Sequence, residues 1–250
     1  MRGIINWRSF FVLFAVCVVT SILVIPYQVA MVPDLGEVGA LLYVSAFAQG
    51  LVIFSIATFL GLLLARKVGF SLPIIEGADR WENLRAILKP SILLGVLSGI
   101  LIILADIAFQ ALSVAIPMED VHVPVWAALL ASFYGGIAEE VLMRLFAMTL
   151  LVWLIFLFKK TKEGLPTNWS VWIAIVLASI LFGIGHLPLT SALTEITTMI
   201  IIRAIVLNGI GGVIFGWLYW KKGLVSAIIA HFSADIVLHV ITPVIVRALI

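Results

Sequence analysis

Apolar residues fill seven blocks of this chain, at positions 10–26, 38–65, 92–116, 125–158, 169–187, 193–220 and 224–246, and the polar residues gather between them. Most blocks approach or exceed the ~20 residues that an α-helix needs to cross a bilayer. Short alternating segments of the kind a β-barrel would show are missing. The pattern therefore predicts an all-α, polytopic helical membrane protein. Its polar stretches alternate in sign: Arg2/Arg8 basic, Asp34/Glu37 acidic, Arg66/Lys67 basic, Glu119/Asp120 acidic, Lys159/Lys160/Lys162 basic and, after a near-neutral turn, Lys221/Lys222 basic. Seven crossings with a cytoplasmic amino terminus satisfy the positive-inside bias at every loop. The first block is expected to be a retained span and not a signal peptide, because residues 27–30 make a poor small-x-small cleavage site and more spans follow.

The longest polar stretch, residues 66–89, reads as a short interfacial amphipathic helix. Asp79 stands at a capping position with Glu82 three residues on, and Trp81, Leu84 and Leu88 share one face. No internal repeat or low-complexity linker divides the chain, so residues 1–250 are expected to form a single integral-membrane domain.

Composition sharpens this picture. The chain is 64% hydrophobic and 11% charged, against about 25% charged for soluble domains. The net charge of +2 comes from basic residues at the ends of apolar runs, which encodes topology and gives no reason to expect a nucleic-acid partner. The partners expected are membrane lipids and a peptide or protein. Cys17, the sole cysteine, excludes an intramolecular disulfide and a cysteine metal site.

Against that background, charges inside the fourth block need a reason. Glu139, Glu140 and Arg144 sit there, and a charge at bilayer depth costs ~2.5–3.5 kcal/mol on insertion scales. Glu140 and Arg144 are spaced i,i+4 in the favourable acid-first order and can neutralise each other. Glu139 lies about 100° further round the helix and gains no such local partner, which leaves it the carboxylate suited to take a proton from water. Gly135 and Gly136 permit a neighbouring backbone to come close. His186 follows Phe182 by one turn, and Pro188 is expected to end that helix. His231 has Asp235 at i+4, an acceptor able to fix its tautomer. His239 continues that stripe and reads as structural, while His122 beside the Glu119/Asp120 turn reads as exposed. Asp106, Glu195 and Arg203 receive no chemistry, with Glu195 and Arg203 expected to associate with each other or with lipid headgroups. Together the fourth, fifth and seventh blocks carry what water activation and oxyanion stabilisation require.

Glu-Glu-x-x-x-Arg, Phe-x-x-x-His and His-x-x-x-Asp, in this order over roughly residues 126–235, resemble the CPBP intramembrane endopeptidases, which include the type II CAAX prenyl proteases and bacteriocin-processing or immunity proteins. The first 120 or so residues carry no motif. The resemblance implies that Glu139, with His186, activates water, that Glu140 and Arg144 hold the arrangement, and that His231 and Asp235 stabilise the oxyanion. It implies a glutamate-type protease with no obligatory metal or other cofactor, in a prokaryotic plasma membrane, with a peptide substrate whose prenylation is left open. Position 235 is Asp where the prenyl-protease branch commonly carries Asn. An ionised Asp cannot donate to an oxyanion, so an imidazolium at His231 would be the donor. Two rival readings remain at this point. In one, His186, His231 and Glu139 bind zinc with Asp235 behind them, although no His-Glu-x-x-His is present. In the other, the charges serve a non-enzymatic transporter, immunity or scaffold protein.

Depth arithmetic adds a requirement. At ~1.5 Å per residue, His186 lies about 26 Å beyond Trp169 but His231 only about 10 Å beyond Leu224. Straight helices starting on one side would leave the two histidines near opposite faces. A hairpin at Asn208–Gly212, giving eight crossings, or a helix that starts deep beside a wet cavity, would bring them together. The fourth block, about 51 Å long as one helix, must tilt, protrude or bend near its glycines.

Overall fold

A computed structural model describes residues 5–77, 79–117 and 121–249; Arg2 and the acidic turn at Glu119/Asp120 lie outside the described residues. Seven helices are long and apolar enough to cross a membrane: α1 Trp7–Met31, α2 Ala40–Lys67, α3 Arg80–Ala111, α4 Val125–Phe158, α5 Asn168–Ser191, α6 Thr198–Lys222 and α7 Leu224–Leu249. The protein is thus all-helical and integral to a membrane. Chain punctuation explains the boundaries. The Asn6, Thr167 and Thr197 side chains accept from backbone N–H groups in the first turns of α1, α5 and α6. Lys67 and Lys221/Lys222 close α2 and α6, where cations suit both the helix dipole and the interface. Gly223, at φ +88°, is the whole connection between α6 and α7.

Two expectations need correction. The amphipathic segment at Asp79–Leu88 is not a separate interfacial helix. It is the first part of α3, which runs unbroken from Arg80 to Ala111 through Pro90, and the Asp79 side chain makes no cap hydrogen bond. Trp81 is nonetheless well exposed, as an interfacial anchor should be. The hairpin at Asn208–Gly212 does not form either: α6 is continuous, and the Asn208 amide donates to the Ala204 carbonyl within the helix at 2.9 Å. Among the described residues the count is seven spans.

α4 is the central element, packing against α1, α2, α5, α6 and α7. Ala138, Val141, Leu145 and Met148 from α4 meet Phe215 and Tyr219 of α6 and Ala227, Ala230 and Ala234 of α7 in one core. Lipid-like surroundings give no hydrophobic drive for helices to associate, so small residues that allow close packing decide the contacts. At Gly95 of α3 an added Cβ would run into the Ala230 carbonyl of α7, and a Ser91–Ser226 hydroxyl pair at 2.7 Å joins the same two helices.

The bend expected in α4 takes the form of wider turns. Tyr134–Glu139, which includes both glycines, and Val141–Met148 are π-helical, and so is Ile236–Ile241 in α7. Such turns are rare and recur at functional sites. The second and third runs are each followed by a threonine whose hydroxyl donates to the carbonyl five residues back: Thr149 to Arg144 at 3.0 Å and Thr242 to Val237 at 2.7 Å. A carbonyl left over where the wide ladder narrows is thereby satisfied.

Candidate active site

Where α4 and α7 cross, their side chains form one polar cluster. Glu140 is fully buried, and its Oε1 accepts from His231 Nδ1–H at 2.8 Å. The same oxygen lies 3.1 Å from Arg144 Nη1. That ion pair is close but poorly aligned: Arg144 Nη1 and Glu140 Oε2 make no hydrogen bond among the described residues. Aromatic rings complete the guanidinium's surroundings, with Arg144 4.9 Å from the Phe182 ring centroid and 5.5 Å from that of Phe215. Phe215 also stacks on His231 at 4.8 Å. A buried charge removed from water is tolerable when paired and flanked in this way.

Glu139 differs as its position on the helix foretold. It forms no hydrogen bond among the described residues, and its side chain keeps 22% of its exposure. Its Oε2 stands 3.8 Å from His231 Nε2, the ring nitrogen not used by Glu140. Asp235 Oδ1 lies 3.6 Å from that same Nε2. The glycine expected to permit close approach does so here, since a Cβ at Gly135 would collide with the Asp235 carboxylate.

His186 joins the cluster less directly. It ends the main helical run of α5, Asn168–Gly185, and Pro188 opens the short turn Leu187–Ser191 that follows, so the break falls at His186 itself. The ring Nδ1–H donates to the Phe182 carbonyl at 2.8 Å, because a carbonyl can only accept. In the neutral ring this leaves Nε2 with its lone pair, the form that accepts a proton. Among the described residues no ion pair joins His186 to Glu139. Phe182 bridges the histidines instead, its ring 4.8 Å from His186 and 5.7 Å from His231.

The depth requirement turns on the start of α7. Trp220, just before it, pairs with Trp172 near the start of α5 at 6.1 Å, so both helices begin at the same level. His239 stands two turns beyond His231 on the same helix, 4.0 Å from Asp235 Oδ1.

Three further outcomes bear on the sequence reading. The partner of His231 Nδ1 is Glu140 from another helix, while Asp235 faces the opposite nitrogen. His239, read as structural, touches the cluster and brings Tyr27 of α1 with it, the phenol oxygen 3.4 Å from His239 Nδ1. Arg203 pairs with Asp106 and not with Glu195, donating through Nε and Nη2 at 2.9 and 2.6 Å. Apart from these outcomes, no three His, Cys, Asp or Glu side chains among the described residues, His186, His231 and Glu139 included, are placed to hold a metal ion.

Fold and site together define a polytopic helical membrane protein with a carboxylate–histidine cluster in its core. Residues 121–237, just under half of the chain, match the family model described as type II CAAX prenyl endopeptidase Rce1-like. The matched region contains all six motif residues, Glu139, Glu140, Arg144, His186, His231 and Asp235, and it leaves out α1 to α3. No curated protein and no solved structure matches the chain significantly.

Proposed function

We propose that this protein is an intramembrane endopeptidase of the glutamate type, cleaving a peptide bond near the cytosolic face with the amino terminus on that side. The observation that carries this reading is the asymmetry of the two adjacent glutamates. Glu140 is buried and engaged by His231 and Arg144, whereas Glu139 makes no hydrogen bond among the described residues and is partly open beside the same imidazole.

In the mechanism, Glu139 takes a proton from a water as its oxygen attacks the scissile carbonyl, with the Nε2 lone pair of His186 helping to hold that water. His231, fixed by Glu140 through Nδ1, offers Nε2–H as an imidazolium to the oxygen that becomes negative. Asp235 balances that imidazolium in place of donating itself. Glu139 then returns the proton to the leaving nitrogen as the C–N bond breaks, giving a new carboxyl terminus and a free amine. No step requires a metal. The matching family is described as acting on prenylated CAAX ends, which makes a farnesylated peptide ending in Cys-aliphatic-aliphatic-X the first substrate to try.

Purified protein in nanodiscs should cleave that fluorogenic peptide, and the same peptide without the farnesyl group would show whether the lipid is needed. Glu139→Gln should lower kcat by roughly 10³, within the range for removal of a general base. Cleavage unaffected by Glu139→Gln would end this reading. Activity lost on exhaustive chelation and restored by zinc would replace it with a metalloprotease. Peptide that binds without being cut would favour an immunity or scaffold role.

A further inference from the structure

We infer that His239, oriented by Tyr27, is a positioning residue that clamps Asp235 in the active site, an inference that rests on the proposed peptidase reading. The argument starts from the acidic side chain at 235. A carboxylate has no donor to anchor it, and the Gly135 side offers it space but no hydrogen bond. What faces Asp235 Oδ1 is a pair of imidazoles one turn to either side, His231 Nε2 at 3.6 Å and His239 Nε2 at 4.0 Å. The second is reached where Ile236–Ile241 widens into a π-helix.

Tyr27 decides which way His239 points. Its hydroxyl lies 3.4 Å from Nδ1, and the two rings meet edge to face with centroids 5.6 Å apart. If Tyr27 O–H donates to Nδ1, the ring proton must sit on Nε2, the atom that faces Asp235. The result is a directed chain from Tyr27 of α1 through His239 to Asp235, ending at the imidazole that receives the oxyanion. It runs from a well-exposed His239 (41%) inward to Asp235 (11%), so the clamp stands at the open side of the cluster. α1 lies outside the matched region, and Tyr27 brings it against the cluster.

The test has two arms. Imidazole ¹⁵N spectra of histidine-labelled protein in nanodiscs, with His239 assigned from the signal lost in His239→Gln, should show a neutral ring protonated at Nε2. Tyr27→Phe and Asp235→Asn should each change that signal. A ring protonated at Nδ1 or at both nitrogens, or one indifferent to both substitutions, overturns the inference whether or not a substrate is known. With the farnesylated peptide, His239→Ala should lower kcat about tenfold, less than the ~10²–10³ lost with an oxyanion donor itself, and leave KM within about twofold. In an Asp235→Asn background, His239→Ala should have little further effect. Equal losses in both backgrounds would leave His239 with no special tie to Asp235. Wild-type protein that cuts no peptide while the spectra behave as expected would count against the peptidase reading alone.

Discussion

Two arginine–carboxylate pairs lie within the membrane-spanning helices of this molecule, and they are built in opposite ways. Arg203 and Asp106 join α6 to α3 through two hydrogen bonds, and Gln110 donates to the second carboxylate oxygen at 2.9 Å. Both carboxylate oxygens are occupied and both side chains are partly exposed, at 15% and 27%. Arg144 and Glu140 sit on one helix, are almost wholly buried, and leave Nη1 and Oε2 without hydrogen bonds among the described residues. A saturated pair fastens two helices and has nothing left to offer a reactant. An under-satisfied one keeps capacity, and in this protein that capacity borders a histidine and a second glutamate that makes no hydrogen bond among the described residues. Charge within the spanning helices marks both places, and unspent hydrogen-bonding capacity marks the one where we propose chemistry.

The contrast can be broken in three ways. Glu140→Gln should have the largest effect, because it leaves Arg144 buried without a counter-charge and His231 without its carboxylate. Cleavage should fall about 10²-fold, and thermal unfolding in detergent should show a loss approaching the ~3–5 kcal/mol typical of a broken buried pair. An intact melting profile would mean that Glu140 is not the keystone described. Gly135→Ala comes next. The new methyl would displace the Asp235 carboxylate, so kcat should drop roughly tenfold with a stability change of about 1–3 kcal/mol, the usual range for overpacking. Asp106→Asn should matter least. With a partly exposed pair and hydrogen bonds worth ~0.6 kcal/mol on average in membranes, it should cost about 1 kcal/mol and leave cleavage within twofold. A tenfold loss of activity there would erase the distinction between the pairs.

Much of this was legible before any coordinates, and what was not has a common cause. The seven spans follow from apolar length and loop charge, and the Glu140–Arg144 pair follows from i,i+4 geometry on one helix. The irregularity near Gly135 and Gly136 was forced by a segment too long for the bilayer. Contacts between helices were not legible. The bonds from Glu140 to His231, Arg203 to Asp106 and Tyr27 to His239 depend on the rotation and relative height of separate spans, and π-turns alter both by amounts that no residue pattern states. The amphipathic segment reads as a separate helix because its charged residues set it off from the apolar block at 92–116, whereas α3 runs through both.

The single-glycine joint at Gly223 has a practical corollary for anyone engineering this membrane enzyme candidate. A connector that short has no slack, so the vertical register of α7 is inherited from α6. One inserted residue would turn α7 by about 100° and swing the His231 ring away from its stack on Phe215. Epitope tags, reporter fusions and circularly permuted termini belong in other loops, and a library of insertions along the chain should find this junction among the least forgiving.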